Sequence, residues 1–535
     1  MDTVPNAKAT PQTGLGAKKD ARFWLLVLAL SVTLFLSALD YTALSSALPV
    51  IIDELDGADF SWAGTAYALS ATAFLPMSGG LAQIIGRRSS FVVALFFFAL
   101  GSALCGSAKS MNWLIGARTM QGIGGGAIMS LTAIVISDLV TLQERGTYNG
   151  ILGLTWAVAV STGPLVGGAF AENGAWRWLF YLNLPVCGLA FALVMAFMDL
   201  PFPSGTFHEK FWSMDWIGNF VIAGSSTSVT LALTWAGGRY AWDQPQVLVP
   251  LVLGAVGIMS WLVYETKLAT HPMVAPELIG NRTTVSGYIQ ISITSITATI
   301  WVFYIPVFFQ ACKDAGPIQS GVGMLGGALS VGVAVVLAGM SVTVFKVYRP
   351  QIWIGWLLYT AGFAALSTIR STSPSAYAIG LSVITGVGGG CAFATAYFPV
   401  LSPLPVELNA QALALFAFFR TFAQIWGISI GSTILTNTLA HTLPPEFVHI
   451  ADGGIERIYT LIPRIPTLPE PMKSEVQFAF AESLRPLWYT CTGLAVLGFI
   501  VSLAMKDVPL HNYMDEKWGL EEKTRAGDGN SDDAS

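Results

Sequence analysis

Residues 112–138 read NWLIGARTMQGIGGGAIMSLTAIVISD. A bilayer-crossing helix takes about 20 mainly apolar residues, and this stretch is long enough with one cation, Arg118, inside it. It also carries Gly122-Ile123-Gly124-Gly125-Gly126, a pattern that returns as Gly386-Val387-Gly388-Gly389-Gly390 at an offset of 264. A second pair keeps the same offset, Gly163 and Gly167 against Gly427 and Gly431. Two matches at one offset predict two related halves. The competing explanation is two unrelated small-residue packing faces, which are common in membrane helices.

Composition agrees with a membrane chain. Of 535 residues only 11% are charged and 53% are hydrophobic, where soluble proteins carry about 25% charge. Mean hydropathy is +0.61, so too little charge exists to cover a water-facing surface. A soluble enzyme, a disordered scaffold and a nucleic-acid binder are all excluded on that ground. The net charge of −5 adds little, since most charges fall in loops and tails. Cys105, Cys187, Cys312, Cys391 and Cys491 lie far apart with no C-x-x-C pair, and the five histidines have no partner at metal-ligand spacing. No metal site, disulfide framework or cofactor is therefore expected. The polar N-terminus has no short apolar region followed by a small-residue cleavage site, so no removed signal peptide is expected.

Applied along the chain, the length rule predicts an all-α polytopic membrane protein with fourteen spans. They lie near 23–49, 61–82, 90–108, 112–138, 148–171, 178–199, 215–235, 246–266, 284–310, 318–345, 351–369, 375–403, 409–437 and 485–505. The expected organisation is a disordered cytoplasmic tail (1–21), a six-helix bundle (22–200) and a linker with two extra spans (201–283). A second six-helix bundle (284–505) with an extracellular loop at 438–484, and a disordered cytoplasmic tail (506–535), complete it. Within that loop one helix is expected around 474–484. Placing the N-terminus in the cytoplasm puts sixteen Lys and Arg inside and nine outside, as the positive-inside rule requires. The sequon at Asn281 then faces the cytoplasm, where it is not glycosylated.

Asp40 lies deep in the first span. A carboxylate there costs about 2.5–3.5 kcal/mol on insertion scales, and such groups recur in proton relays. Thr33, Ser37 and Asp40 form one polar stripe at i, i+4 and i+7. Either Asp40 is a proton site, or it is locked to a neighbouring Arg or to backbone amides. Arg118, with Gln121 nearly one turn on, cannot deprotonate and needs a carboxylate, carbonyls or water. It is either an electrostatic partner that releases a proton from a nearby acid or a cross-link between helix ends. Arg420 and Gln424 lead the Gly427/Gly431 stripe of the thirteenth span.

Two enzyme-like patterns fail on context. Gly427-Ile428-Ser429-Ile430-Gly431 matches G-x-S-x-G inside an apolar helix, without the turn that exposes a nucleophile. The run from Gly122 to Ala127 has a dinucleotide-like spacing but no βαβ unit around it. No Gly-Lys dipeptide occurs, so a Walker A loop is absent. Energy must come from an ion or solute gradient, with no ATPase subunit in this chain.

Several motifs together resemble the major facilitator superfamily, and within it the fungal fourteen-span drug:proton antiporters. Leu39-Asp40-x-Thr42 with Ala47-Leu48-Pro49 resembles that subfamily's first-span signature. Gly79-x-Leu81-Ala82-Gln83-x-x-Gly86-Arg87-Arg88 is similar to the loop motif between spans two and three. Arg118-x-x-Gln121-Gly122 resembles the fourth-span motif, and Gly163-Pro164-x-x-Gly167-Gly168 the antiporter motif of span five. Trp176-Arg177-Trp178-x-Phe180-Tyr181-x-Asn183-x-Pro185 is similar to the stretch that follows in fungal members. The resemblance implies a major-facilitator fold, Asp40 as the proton-linked carboxylate and Arg118 as its relay partner. It also implies Arg87 or Arg88 as a cytoplasmic latch on Asp138. Gln83 departs from the motif's acidic position and cannot supply charge, which implies either a weaker latch or one that relies on Asp138.

The function expected is proton-coupled export of small amphipathic compounds, xenobiotics or secondary metabolites, by alternating access. The alternative is a proton-linked carrier for one defined metabolite or siderophore. A solute receptor that does not transport, and a membrane enzyme, stand behind both. The cavity candidates are Gln121, Asn183, Gln290, Tyr304, Gln310, Tyr397, Arg420 and Gln424, each with an ordinary interhelical hydrogen bond as its other explanation. The expected partners are the small-molecule substrate, protons and the lipid bilayer, with no nucleic acid. A monomer in the plasma membrane, or alternatively the vacuolar membrane, is expected.

Overall fold

A computed structural model describes residues 20–55, 61–141, 144–200, 212, 215–236, 240–269, 275–450 and 462–510. Most of both expected tails, and the middle of 438–484, lie outside these residues. Among the described residues the chain is helical, with one isolated bridge between Ala236 and Tyr240 and no strand. Long helices dominate because hydrocarbon offers backbone groups no water, and a helix satisfies them within one segment. The long helices are α1 (Ala21–Leu55), α2 (Ser61–Ile84), α3 (Arg87–Gly106), α4 (Met111–Leu139) and α5 (Arg145–Glu172). α6 (Arg177–Phe197) breaks once at Leu182. Then follow α7 (Trp216–Trp235), α8 (Pro245–Lys267), α9 (Arg282–Lys313), α10 (Pro317–Phe345) and α11 (Arg349–Leu366). α12 (Ser375–Thr395), α13 (Asn409–Thr442) and α14 (Met472–Leu503) complete the set.

Twelve of these are long and apolar enough to cross a membrane; α2 and α11 fall below that measure. The protein is a multi-pass membrane protein. Polar side chains punctuate the helix starts: Ser110 caps α4 by accepting from the Trp113 amide, Asp215 caps α7 and Asn281 caps α9. One expectation changes. The helix expected at 474–484 and the span at 485–505 are one continuous α14, running through Pro486. Val476, Ala479, Phe480, Leu484 and Leu487 carry a buried stripe across the join at helical spacing, and that packing holds the segment as one rod.

Pairings within α1–α6 recur eight helices later. α1 packs on α5 and α6 as α9 packs on α13 and α14, and α4 lies between α2 and α3 as α12 lies between α10 and α11. The repeated glycines explain why. A Cβ on Gly124 would lie 2.4 Å from the Phe98 amide nitrogen of α3, and one on Gly388 would lie 2.2 Å from the Tyr359 amide nitrogen of α11. Both neighbours are backbone and cannot swing aside.

We therefore expect Gly124→Val to force α3 off α4, an overpacking cost of about 1–3 kcal/mol or more. Size-exclusion of detergent-solubilised protein should show most of the folded peak lost. Gly116→Val on the same helix, where nothing lies within 4 Å, should match wild type.

Between the two groups, α5 runs along α10 and α2 along α13. α7 packs on both α2 and α13, where Ser429 Oγ donates to the Leu233 carbonyl at 3.0 Å, and α8 packs on α7.

Candidate functional site

α1, α3, α4 and α6 converge on Asp40, which is 1% exposed. Arg118 donates to Asp40 Oδ2 at 2.5 Å, while Gln121 Nε2 and Asn183 Nδ2 donate to Oδ1 at 2.9 and 2.8 Å. Arg118 also donates to Gln121 Oε1 at 2.7 Å. Ser102 Oγ accepts from Gln121 at 2.8 Å and from Asn183 at 3.2 Å, closing the cluster from α3. The two expected coupling residues and two of the cavity candidates thus form one buried network. Ser102 and Tyr67 were not singled out in the sequence. Tyr67 lies 4.6 Å from the Arg118 guanidinium, ring centroid to Cζ, and its hydroxyl bonds Ser37 at 2.9 Å. Its place depends on Gly125, whose Cβ would lie 1.9 Å from that hydroxyl. Serine and tyrosine are too common in such helices to signal this without a fold. Tyr41, part-exposed, stands beyond Tyr67 at 6.1 Å between rings.

The equivalent positions of the second group carry no charge. At the 264-residue offset Arg118 and Gln121 become Ser382 and Thr385. Thr385 packs on Gly362 as Gln121 packs on Gly101. The ion pair belongs to one half of a doubled scaffold.

At the helix ends nearest the chain termini, Arg87 Nε donates to Asp138 Oδ2 at 2.9 Å, with side chains 1% and 5% exposed. Gly86 starts this corner at φ 85°, a conformation that suits glycine. Arg88 points elsewhere, to the Met195 carbonyl at 2.6 Å and toward Asp199 at 3.9 Å. Gly79 is buried in α2; the side chain of Gln83 lies outside the described set. Arg145 donates to the Ser137 carbonyl at 2.7 Å and ties the end of α4 to the start of α5. Asp138→Asn strips Arg87 of this carboxylate. Breaking such a buried pair costs about 3–5 kcal/mol, so the melting temperature in detergent should fall clearly. Arg88→Ala, at an exposed site, should change it little.

In α5, Gly163 faces α1: a Cβ there would meet Thr42 Oγ1 at 2.1 Å. Gly168 faces α10, 3.4 Å from Ile318 Cγ1 by the same construction. Pro164 and Gly167 lie between them in an unbroken helix. The motif therefore carries two interfaces, one within the first group and one between groups. Thr42 stands two residues from Asp40, so the acid lies beside the first of them.

The remaining cavity candidates separate by what they already bind. Gln290 is spent on Ser286, Met505 and the Trp356 indole, and is 1% exposed. Tyr304 donates to the Ile428 carbonyl at 3.1 Å, and Gln310 to Ser320 Oγ at 2.9 Å. Tyr397 is buried against Phe398, ring centroids 4.3 Å apart. Arg420 and Gln424 differ. Both are part-exposed, and the Arg420 guanidinium lies 4.8 Å from the Trp156 ring of α5 and 4.7 Å from the Phe393 ring of α12.

A model of the Major Facilitator Superfamily matches residues 30–428. The chain belongs to that superfamily. It is 34% identical to the efflux pump FUS6 of Gibberella fujikuroi, over 98% of this chain and 97% of that one. It is also 34% identical to the MFS-type efflux pump MMF1 of Pseudozyma antarctica, covering 95% and 94%. Among solved structures, the human organic anion transporter MFSD10 aligns with TM-score 0.56 at 12% identity, over 90% of this chain and all of that one. At that identity the likeness is one of fold. The chain is thus a major-facilitator transporter with efflux pumps among its relatives.

Proposed function

We propose that this transporter exports small amphipathic organic compounds in exchange for protons, with Asp40 as the carboxylate that takes up and gives back the proton. One observation carries the reading: the buried Asp40–Arg118 pair lies beside the α1–α5 contact, and α5 also bears on α10 of the other group. Protonating Asp40 removes the charge that holds Arg118. That loosens α1 from α4 next to the helix along which the two groups must move. The names of FUS6 and MMF1 support export.

In this reading α1–α6 and α9–α14 are the two rocking bundles, α7 and α8 are the insertion, and α2 and α11 span with the other twelve helices. An even count returns both ends of the chain to one side, the cytoplasm, and Arg87–Asp138 then latches that side. The plasma membrane is the proposed site, where export clears the cell. Purified protein in proteoliposomes, given an inward proton gradient, should drive substrate out of the compartment equivalent to the cytoplasm and take up protons as it does so. Substrate movement that ignores the gradient overturns the proposal.

A further inference from the structure

The buried guanidiniums of the first six helices are occupied: Arg118 by Asp40, Arg87 by Asp138, and Arg145 by carbonyls at the end of α4. Among the described residues Arg420 has no such partner. Among the described residues no carboxylate pairs with it and no protein atom accepts a hydrogen bond from it; its contacts are the faces of Trp156 and Phe393. Ring faces stabilise the charge of a guanidinium but do not replace oxygen acceptors for its five N–H donors. A cation taken out of water without acceptors is costly, so those donors must open onto water or a ligand, and the side chain is part-exposed. Gln424, one turn along α13, is also part-exposed and adds an amide on the same helix face. Trp156 comes from α5, whereas Phe393 and Arg420 come from α12 and α13, so the site straddles the line between the two helix groups.

We propose that Arg420, with Gln424, is an anion anchor. The exported compound then carries a carboxylate, or another single delocalised negative charge, on an aromatic or conjugated apolar body. The charge pairs with the guanidinium edge and the body lies against Trp156 and Phe393. A cationic compound meets an uncompensated positive charge and is disfavoured. This rests on the transport reading above and narrows its substrate class. Charge balance follows from it: one proton entering for one monoanion leaving moves two positive charges inward per cycle, so an inside-negative potential speeds export.

The test uses the full chain and three probes sharing one ring system: 1-pyrenebutyrate, its methyl ester and a trimethylammonium analogue. Binding is read by energy transfer from tryptophan, and transport in proteoliposomes under an imposed pH gradient and a potassium-valinomycin potential. The carboxylate should bind about tenfold to a hundredfold more tightly than the ester, as expected for a charge-assisted contact. Arg420→Gln should erase that preference, and Arg420→Lys should restore part of it because the charge returns. Transport of the carboxylate should rise when the interior is made negative. An ester that binds as well as the acid, or a preference surviving Arg420→Gln, overturns the anchor. pH-driven export of any of the three probes in that case leaves the export reading standing. If none of the three binds, the anchor falls, and the export reading is decided by the gradient test above.

Discussion

Asp40→Asn should abolish pH-gradient-driven export, by more than about a hundredfold, while substrate counterflow continues. The change is nearly isosteric, so Gln121 and Asn183 keep an oxygen to donate to and Ser102 still closes the cluster behind them, while Arg118 loses its carboxylate and the melting temperature should fall as it does for Asp138→Asn. What disappears is the charge and with it the group that can bind and release a proton. Each 1.4 kcal/mol withheld from the driving step is a factor of ten, and a coupling site that cannot ionise withholds all of it. Counterflow needs only the substrate site and the rocking motion, so it separates a lost coupling from a lost fold. Full gradient-driven export by Asp40→Asn would make Asp40 a structural anchor and nothing more.

The second large effect concerns Arg118. Arg118→Ala leaves the Asp40 carboxylate at 1% exposure without its cation, a loss of about 3–5 kcal/mol by analogy with other broken buried pairs. Melting temperature should drop and gradient-driven export should stop. On that result alone, relay partner and cross-link are indistinguishable. The double variant Asp40→Asn with Arg118→Gln resolves them, because replacing both ends of a buried pair is often neutral. We expect it to melt near the wild-type temperature and still fail to couple. A double variant that regains gradient-driven export assigns the pair to structure.

Much of this site is legible in the sequence. Asp40 and Arg118 stand out because charges are rare in such apolar stretches, and each demands a partner. Gln121 and Asn183 were legible as polar residues in spans, but not as ligands of the same carboxylate. They lie 81 and 143 residues from Asp40 along the chain, and only the packing of α4 and α6 on α1 brings them to one oxygen. Gln290 and Tyr304 carry the same sequence signal as Gln424, a polar group inside an apolar helix. The fold spends the first two on helix contacts and leaves the third part-exposed. The helix at 474–484 is legible in the sequence, but its continuity with the span at 485–505 is not, since that depends on the buried stripe that crosses the join.

From residue order alone came the membrane, the helices, the doubling at 264 and the rarity that marks Asp40, Arg118 and Arg420. These are local properties: apolar length sets what the bilayer accepts, and the lack of charge makes each remaining charge conspicuous. Folding alone chose between Arg87 and Arg88 for Asp138, set three donor side chains on the Asp40 carboxylate, and left Arg420 between two rings with no acid among the described residues to meet it. Partnership depends on which helix faces meet, and that is settled by close packing at Gly124 and Gly388, where the absence of a side chain lets one backbone reach another, and at Gly163, where it makes room for Thr42.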